Sequence, residues 1–267
     1  MAAARSGQSG MAEAQRQRDV IDTAPAFVEA DADALEARFA GVDTGEMLGE
    51  LLADELKGRL AVVSSFGAES AVLLHLVAAA DRDVPLIFVN TQKMFGDTLA
   101  YRDELAERLG FTDLRVYRPD PYDLAARDAT GLRWSYDPDG CCEIRKVAPL
   151  RRALVPFDAW ISGRKAFQAK SRGALPRFEI DEGRLKLNPL ADWDKDRLEA
   201  YLEQHRLPRH PLVAQGYPSI GCMPCTSKVA PGEDPRSGRW KGWDKTECGI
   251  HGEVVASELP PGYEPFL

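Results

Sequence analysis

Leu60-Ala-Val-Val-Ser-Ser65, then Phe66-Gly67-Ala68-Glu69-Ser70, then an apolar pattern at helical spacing through Ala80, reads as strand, loop and helix. The run is short and apolar, and it turns polar where a strand has to end. The same order recurs downstream. Residues 85–90 are a second buried-strand candidate, followed by a loop at 91–96 and a helix from about 97 to 109. Leu114–Tyr117 makes a third strand, and residues 158–162 a fourth that ends at Gly163. Strands alternating with helices imply βαβ units, hence an α/β fold with a doubly wound, mainly parallel sheet covered on both faces.

In such sheets ligands sit outside the carboxyl ends of the strands. Those ends carry Ser64, Ser65 and Gly67, then Asn90 and Thr91, then Ser162, Gly163, Arg164 and Lys165. Small hydroxyls and a glycine ahead of a helix make a phosphate cradle, because the first helical turn offers unpaired N–H groups and partial positive charge. Many α/β proteins carry such a turn without a nucleotide, so this signal alone decides nothing.

Further out, residues 27–57 carry helical patterning that ends near Gly58. The first 25 residues read as a mobile tail and lack the apolar segment of an export signal. Residues 177–180 and 184–187, joined by Asp181-Glu-Gly183, read as a β-hairpin, and 193–205 as a helix. Residues 231–243 have no period and read as a loop. The expected organisation is a tail at 1–25, an α/β domain at 26–215 and a C-terminal segment at 216–267.

The chain has 267 residues, with 34 basic against 42 acidic side chains and a net charge of -8, which argues against a nucleic-acid partner. Locally the balance reverses. Between positions 141 and 172 lie Arg145, Lys146, Arg151, Arg152, Arg164, Lys165, Lys170 and Arg172 against only Glu143 and Asp158. That stretch reads as a pocket for a small anion, with a solvated helix face as the plain alternative. No apolar run approaches the roughly 20 residues needed to span a bilayer, so no membrane partner is expected. An odd cysteine count without framework spacing points to a reducing cytoplasm.

Five cysteines fall as an adjacent pair, Cys141-Cys142, a Cys222-Met-Pro-Cys225 and a lone Cys248 in Lys-Thr-Glu-Cys-Gly-Ile-His251. Two pairs supply four thiolates, the ligand set of a 4Fe-4S cluster or a structural zinc. Neighbouring side chains on a helix point about 100° apart, so both members of the adjacent pair reach one centre only at a helix end or bend. Asp137-Pro138-Asp139-Gly140 just before them signals a turn and a helix start. Zinc sites usually space their cysteines two to four residues apart, so adjacency favours the larger cluster. Buried inert thiols are the third reading.

Four motifs in order, Cys141-Cys-Glu-Ile-Arg-Lys146, Gly221-Cys-Met-Pro-Cys-Thr226, Gly232-Glu-Asp-Pro-Arg-Ser-Gly-Arg-Trp240 and Lys245-Thr-Glu-Cys-Gly-Ile-His251, resemble the assimilatory adenylylsulfate reductases, relatives of the phosphoadenylylsulfate reductases. The resemblance spans roughly residues 60–251. It implies an adenine-nucleotide α-hydrolase-like fold, a 4Fe-4S cluster on Cys141, Cys142, Cys222 and Cys225, and a catalytic Cys248. It also implies reduction of adenylylsulfate to sulfite and AMP with thioredoxin as donor, Lys146 near both cluster and substrate, and, by analogy, a homo-oligomer.

The implied chemistry has physical requirements. Attack on the sulfate sulfur needs a thiolate at Cys248, and His251, Arg236 and Arg239 are the sequence candidates for lowering its pKa. An anionic nucleophile on an anionic substrate also needs charge compensation, for which Lys146 and the basic loop from Arg164 to Arg172 are available. Ser64, Ser65 and Gly67 are expected at the phosphosulfate end, with Gly163 and Thr91 also at the substrate. Where many members have Asp-Thr-Gly after the second strand, this chain has Asn90-Thr91-Gln92-Lys93. Phosphoadenylylsulfate reduction is the near rival, but members using that substrate generally lack the paired cysteines. An ATP-dependent relative would resemble Ser-Gly-Gly-x-Asp-Ser at the first loop, which is absent here. A non-enzymatic zinc protein would leave Cys248 unexplained.

Overall fold

Six strands form one sheet in the order β3-β2-β1-β4-β6-β5, with β1 Leu60–Val63, β2 Leu86–Val89, β3 Leu114–Tyr117, β4 Ala159–Ile161, β5 Phe178–Asp181 and β6 Arg184–Leu187. All neighbours run parallel except β5 and β6, which form the antiparallel hairpin. The computed structural model describes residues 25–168, 175–245 and 247–250. The expected mobile tail therefore lies outside the described residues.

Alternation along the strands explains the two-sided covering. Leu60, Val62, Leu86, Phe88, Ala159 and Ile161 point into one core, while Ala61, Ile87, Val89 and Trp160 point into a second on the opposite face. A strand's side chains alternate faces, so a run apolar at every position is stable only when both faces are buried. Helices α1 Glu29–Arg38, α2 Thr44–Glu50, α3 Ser70–Ala80 and α4 Gly96–Leu109 contribute to the first core. The second is closed by Leu150, Ala153 and Leu154 of a helix past the cysteine pair.

Residues 27–57 are not one helix. The chain breaks after α1 at Gly41, whose φ of +75° is left-handed, and restarts where the Asp43 carboxylate accepts the Gly45 N–H at 2.8 Å. The sequence pattern continues across this break because both helices feed the same core. α5 Pro121–Arg127 is an addition to the sequence reading, whereas the helix expected to start before the cysteine pair is present. Later come α8 Lys195–Gln204 and the short α9 Pro211–Ala214. Among the described residues no helix is long and apolar enough to cross a membrane.

The chain leaves β1 toward β2 on one side and leaves β4 toward β5 and β6 on the other. A crevice at such a reversal, outside the carboxyl ends of two adjacent strands, is where doubly wound sheets bind ligands.

Candidate active site

The cysteine segment is one bent helix in three parts. α6 Pro138–Cys142 starts where the Asp137 carboxylate accepts the Gly140 N–H at 2.8 Å, with Pro138 in the first turn, where its missing N–H costs nothing. The axis then widens into a π-helical turn, Glu143–Val147, whose end is marked by the Ala148 N–H bonding the Glu143 carbonyl. α7 Ala148–Leu154 follows, with Pro149 near its start. A proline inside a helix cannot donate to the carbonyl four residues back and clashes with it, and the wider turn before Pro149 relieves that conflict. The cysteine pair thus sits at the junction of two helical pitches, and both members face one cavity.

That cavity, with an empty volume of ≈ 390 Å³, is lined by Cys141, Cys142, Cys222 and Cys225 together with cationic side chains and the rings of Trp134 and Trp240. The second pair enters on a loop bridged to the end of β2. The Met223 N–H donates to the Lys93 carbonyl at 2.7 Å, and Thr91 Oγ1 lies 3.2 Å from Cys222 Sγ. Thr91, expected at the nucleotide, is 1 % exposed, so its hydroxyl serves the cysteine cavity. Arg145 fixes the floor by pairing with Asp128 at 2.6 Å and donating to the Thr91 carbonyl at 3.1 Å. Burial pushes the Cys141 thiol up to about 11 and Cys142 up to about 12, and it raises Cys225 as well. Such thiols become ligands only when a metal displaces their protons.

Cys248 behaves oppositely. Burial raises its thiol, but the Lys146 ammonium, the Ile250 N–H and the Arg239 guanidinium outweigh burial and the opposing Glu247, and the net direction is down. Lys146 is itself raised: burial disfavours its charge, but Cys248, Cys222 and Cys142 favour it more strongly. Arg239 lies against Gly221, where a Cβ would collide with the guanidinium, and its Cζ stands 4.4 Å from the centre of the Trp240 ring. Arg236 instead ion-pairs with Glu247 at 3.5 Å. His251 and Arg172 lie outside the described residues.

At the strand ends, Ser64 is buried and its Oγ accepts the Phe66 N–H at 3.1 Å, while Ser65 is exposed and Gly67 half-buried. Gly163 is exposed, and Arg164 is held by Glu179 at 2.7 Å. Lys165 reaches across the crevice to Glu69 at 2.8 Å. A Cβ on Gly67 would stand 3.7 Å from the Ile220 carbonyl, so the crevice loop and the loop carrying Cys222 adjoin.

Residues 59–228 match the family model for the phosphoadenosine phosphosulfate reductase domain, a stretch that runs from the start of β1 through both cysteine pairs. The chain belongs to that family. It is 48 % identical over 236 residues to a protein of Mesorhizobium japonicum named adenosine 5'-phosphosulfate reductase, covering 88 % of this chain and 93 % of the relative. A Gloeobacter violaceus relative, 42 % identical over 199 residues, covers 72 % of this chain and 82 % of its own length and is named phosphoadenosine 5'-phosphosulfate reductase. The crystal structure of phosphoadenylyl-sulfate reductase from Candida auris, a phosphate complex, is similar with a TM-score of 0.65 and 26 % identity, covering 77 % of this chain and all of that one. The doubly wound sheet is therefore the family's fold.

Within this phosphosulfate reductase fold, the structure brings together Cys141, Cys142, Cys222, Cys225, Cys248, Lys146, Arg239 and Thr91, with Ser65, Gly67 and Gly163 at the adjoining crevice. Sequence reading missed the Ile250 N–H at the Cys248 sulfur and the ion pair between Lys245 and Asp139. Lys245 does stand inside the Lys245–His251 motif, but its partner lies 106 positions away and carries no signal of its own.

Proposed function

We propose that this chain reduces adenylylsulfate to sulfite and AMP through an S-sulfonate on Cys248, with a thioredoxin-type dithiol protein as electron donor. The observation that carries this reading is Cys248, its thiol drawn down by Lys146, the Ile250 N–H and Arg239 at the edge of a cavity lined by four other cysteines. The Cys248 thiolate donates a lone pair to the sulfate sulfur, an S–S bond forms, the S–O bond of the phosphosulfate breaks, and its electron pair leaves with AMP. Lys146 and Arg239 offset the charge built up as two anions meet. A thiolate of the reductant then attacks the Cys248 sulfur and displaces sulfite, and its second thiol resolves the mixed disulfide. The net change converts one dithiol to a disulfide and releases two protons.

The four remaining thiols fit a 4Fe-4S cluster. All four line one cavity, and the adjacency of Cys141 and Cys142, closer than the two to four residues usual between zinc cysteines, favours the cluster over zinc. A cluster bound there would supply cross-linking of the two cysteine loops and negative charge beside Lys146. Ser65, Gly67 and Gly163 offer the surface on which the phosphosulfate is expected to lie. A reducing cytoplasm suits five unpaired cysteines.

Steady-state sulfite release tests the reading. Adenylylsulfate with reduced thioredoxin is expected to give sulfite faster than phosphoadenylylsulfate, and Cys248→Ser to give none from either. Preference for phosphoadenylylsulfate would move the reading to the sister substrate, and turnover by Cys248→Ser would end it.

A further inference from the structure

Beyond Cys248, the chain makes a contact with the fold that the chemistry above does not use. Gly249 adopts a left-handed φ of +77°, which turns the backbone so that the next residue, Ile250, faces the protein. The Ile250 side chain packs on the second core, beside Leu150, Leu154 and Trp160, in a groove that Asp181 and Glu182 of the β5–β6 turn border. Its backbone N–H lies close enough to the Cys248 sulfur to favour the thiolate. The segment also makes polar ties, among them Lys245 to Asp139, which is 80 % exposed on its side chain, and the half-buried pair of Glu247 with Arg236 at 3.5 Å. The pair with the exposed Asp139 holds weakly and is screened by salt, whereas the apolar contact of Ile250 is not screened.

We infer that Ile250 is a positioning residue: its side chain seats residues 247–250 on the second core, and the turn at Gly249 thereby holds the Cys248 sulfur in the attacking position. The inference rests on Cys248 being the nucleophile. A single isoleucine suits a segment that must dock for attack and leave for the reductant, because one apolar contact is strong enough to orient and weak enough to release. Ile250 therefore serves the sulfonation step and not the reductive one.

The test compares wild type, Ile250→Ala and Ile250→Leu as purified full-length protein. Single-turnover mass spectrometry follows adduct formation from adenylylsulfate and its clearance by reduced thioredoxin, and amide hydrogen exchange follows the peptide covering 247–250. Ile250→Ala is expected to form the adduct on the order of 10- to 100-fold more slowly, as misplacement of a reacting group does. Its exchange is faster and its clearance no slower, while Ile250→Leu restores both readouts toward wild type. A wild-type adduct rate in Ile250→Ala, or slowed formation with unchanged exchange, overturns the inference. If wild type forms no adduct, the nucleophile reading fails on its own, and unchanged exchange in Ile250→Ala still refutes the seating.

Discussion

Lys146 lies on the π-helical turn, where the sulfurs of Cys248, Cys222 and Cys142 all favour its charge. In the proposed reaction, replacing it with alanine removes a charge that offsets the reacting anions, and rapid-quench analysis is expected to show sulfonation slowed about 10²-fold, with partial recovery in Lys146→Arg. A second residue-scale prediction concerns His210, buried between α4 and α9. Its Nδ1 accepts the Leu212 N–H at 3.2 Å, which leaves Nε2 to carry the proton toward Thr98 Oγ1 at 3.1 Å. Burial lowers its pKa from 6.5 to about 4 against the opposing pull of Asp97. Between those values the unfolded chain binds the extra proton and the folded chain does not. The contribution is therefore complete above pH 6.5 and lost as pH falls toward 4, a loss of about 3 kcal/mol. Denaturant melts of wild type and His210→Gln across that window are expected to converge at low pH. Parallel curves would refute the assignment.

At the scale of elements, the buried Arg145–Asp128 pair joins the π-helical turn, the loop after α5 and the end of β2, with side chains 6 % and 0 % exposed. Removing one partner strands a charge, so Asp128→Ala is expected to cost about 3–5 kcal/mol in equilibrium unfolding, and replacing both by apolar residues considerably less. A double variant as unstable as the single one would contradict this. Every strand, the hairpin, and the helices around 70–80, 97–109 and 193–205 were legible in the sequence, because each shows its own period and punctuation. Asp137-Pro138 likewise announced the helix start before the cysteines. The widened turn was not legible, since Pro149 forbids one regular hydrogen bond without saying how the helix will adapt. Nor was the place of Thr91, whose contact with Cys222 spans 131 positions and depends on how two loops meet at the sheet edge. The two helices at 27–57 looked like one because a turn between helices that feed the same core does not interrupt their periodicity.

Across the whole molecule, motif order on a legible α/β frame pointed to the site, and the division of labour among the five sulfurs proposed here, already implied by the resemblance, is supported by their different surroundings. Anaerobically purified protein is expected to be brown and to carry roughly four iron and four sulfide per chain. Cys142→Ser and Cys222→Ser should each reduce that content sharply while Cys248→Ser leaves it intact. Zinc in place of iron would overturn the cluster, and loss of iron in Cys248→Ser would overturn the division between ligands and nucleophile. The most direct test of the central claim is intact mass after exposure to adenylylsulfate without reductant. The account predicts one SO3 added per chain, mapped to Cys248, absent in Cys248→Ser and cleared with sulfite release by reduced thioredoxin. An unmodified Cys248 under turnover conditions, or an adduct on any of the other four cysteines, would contradict it.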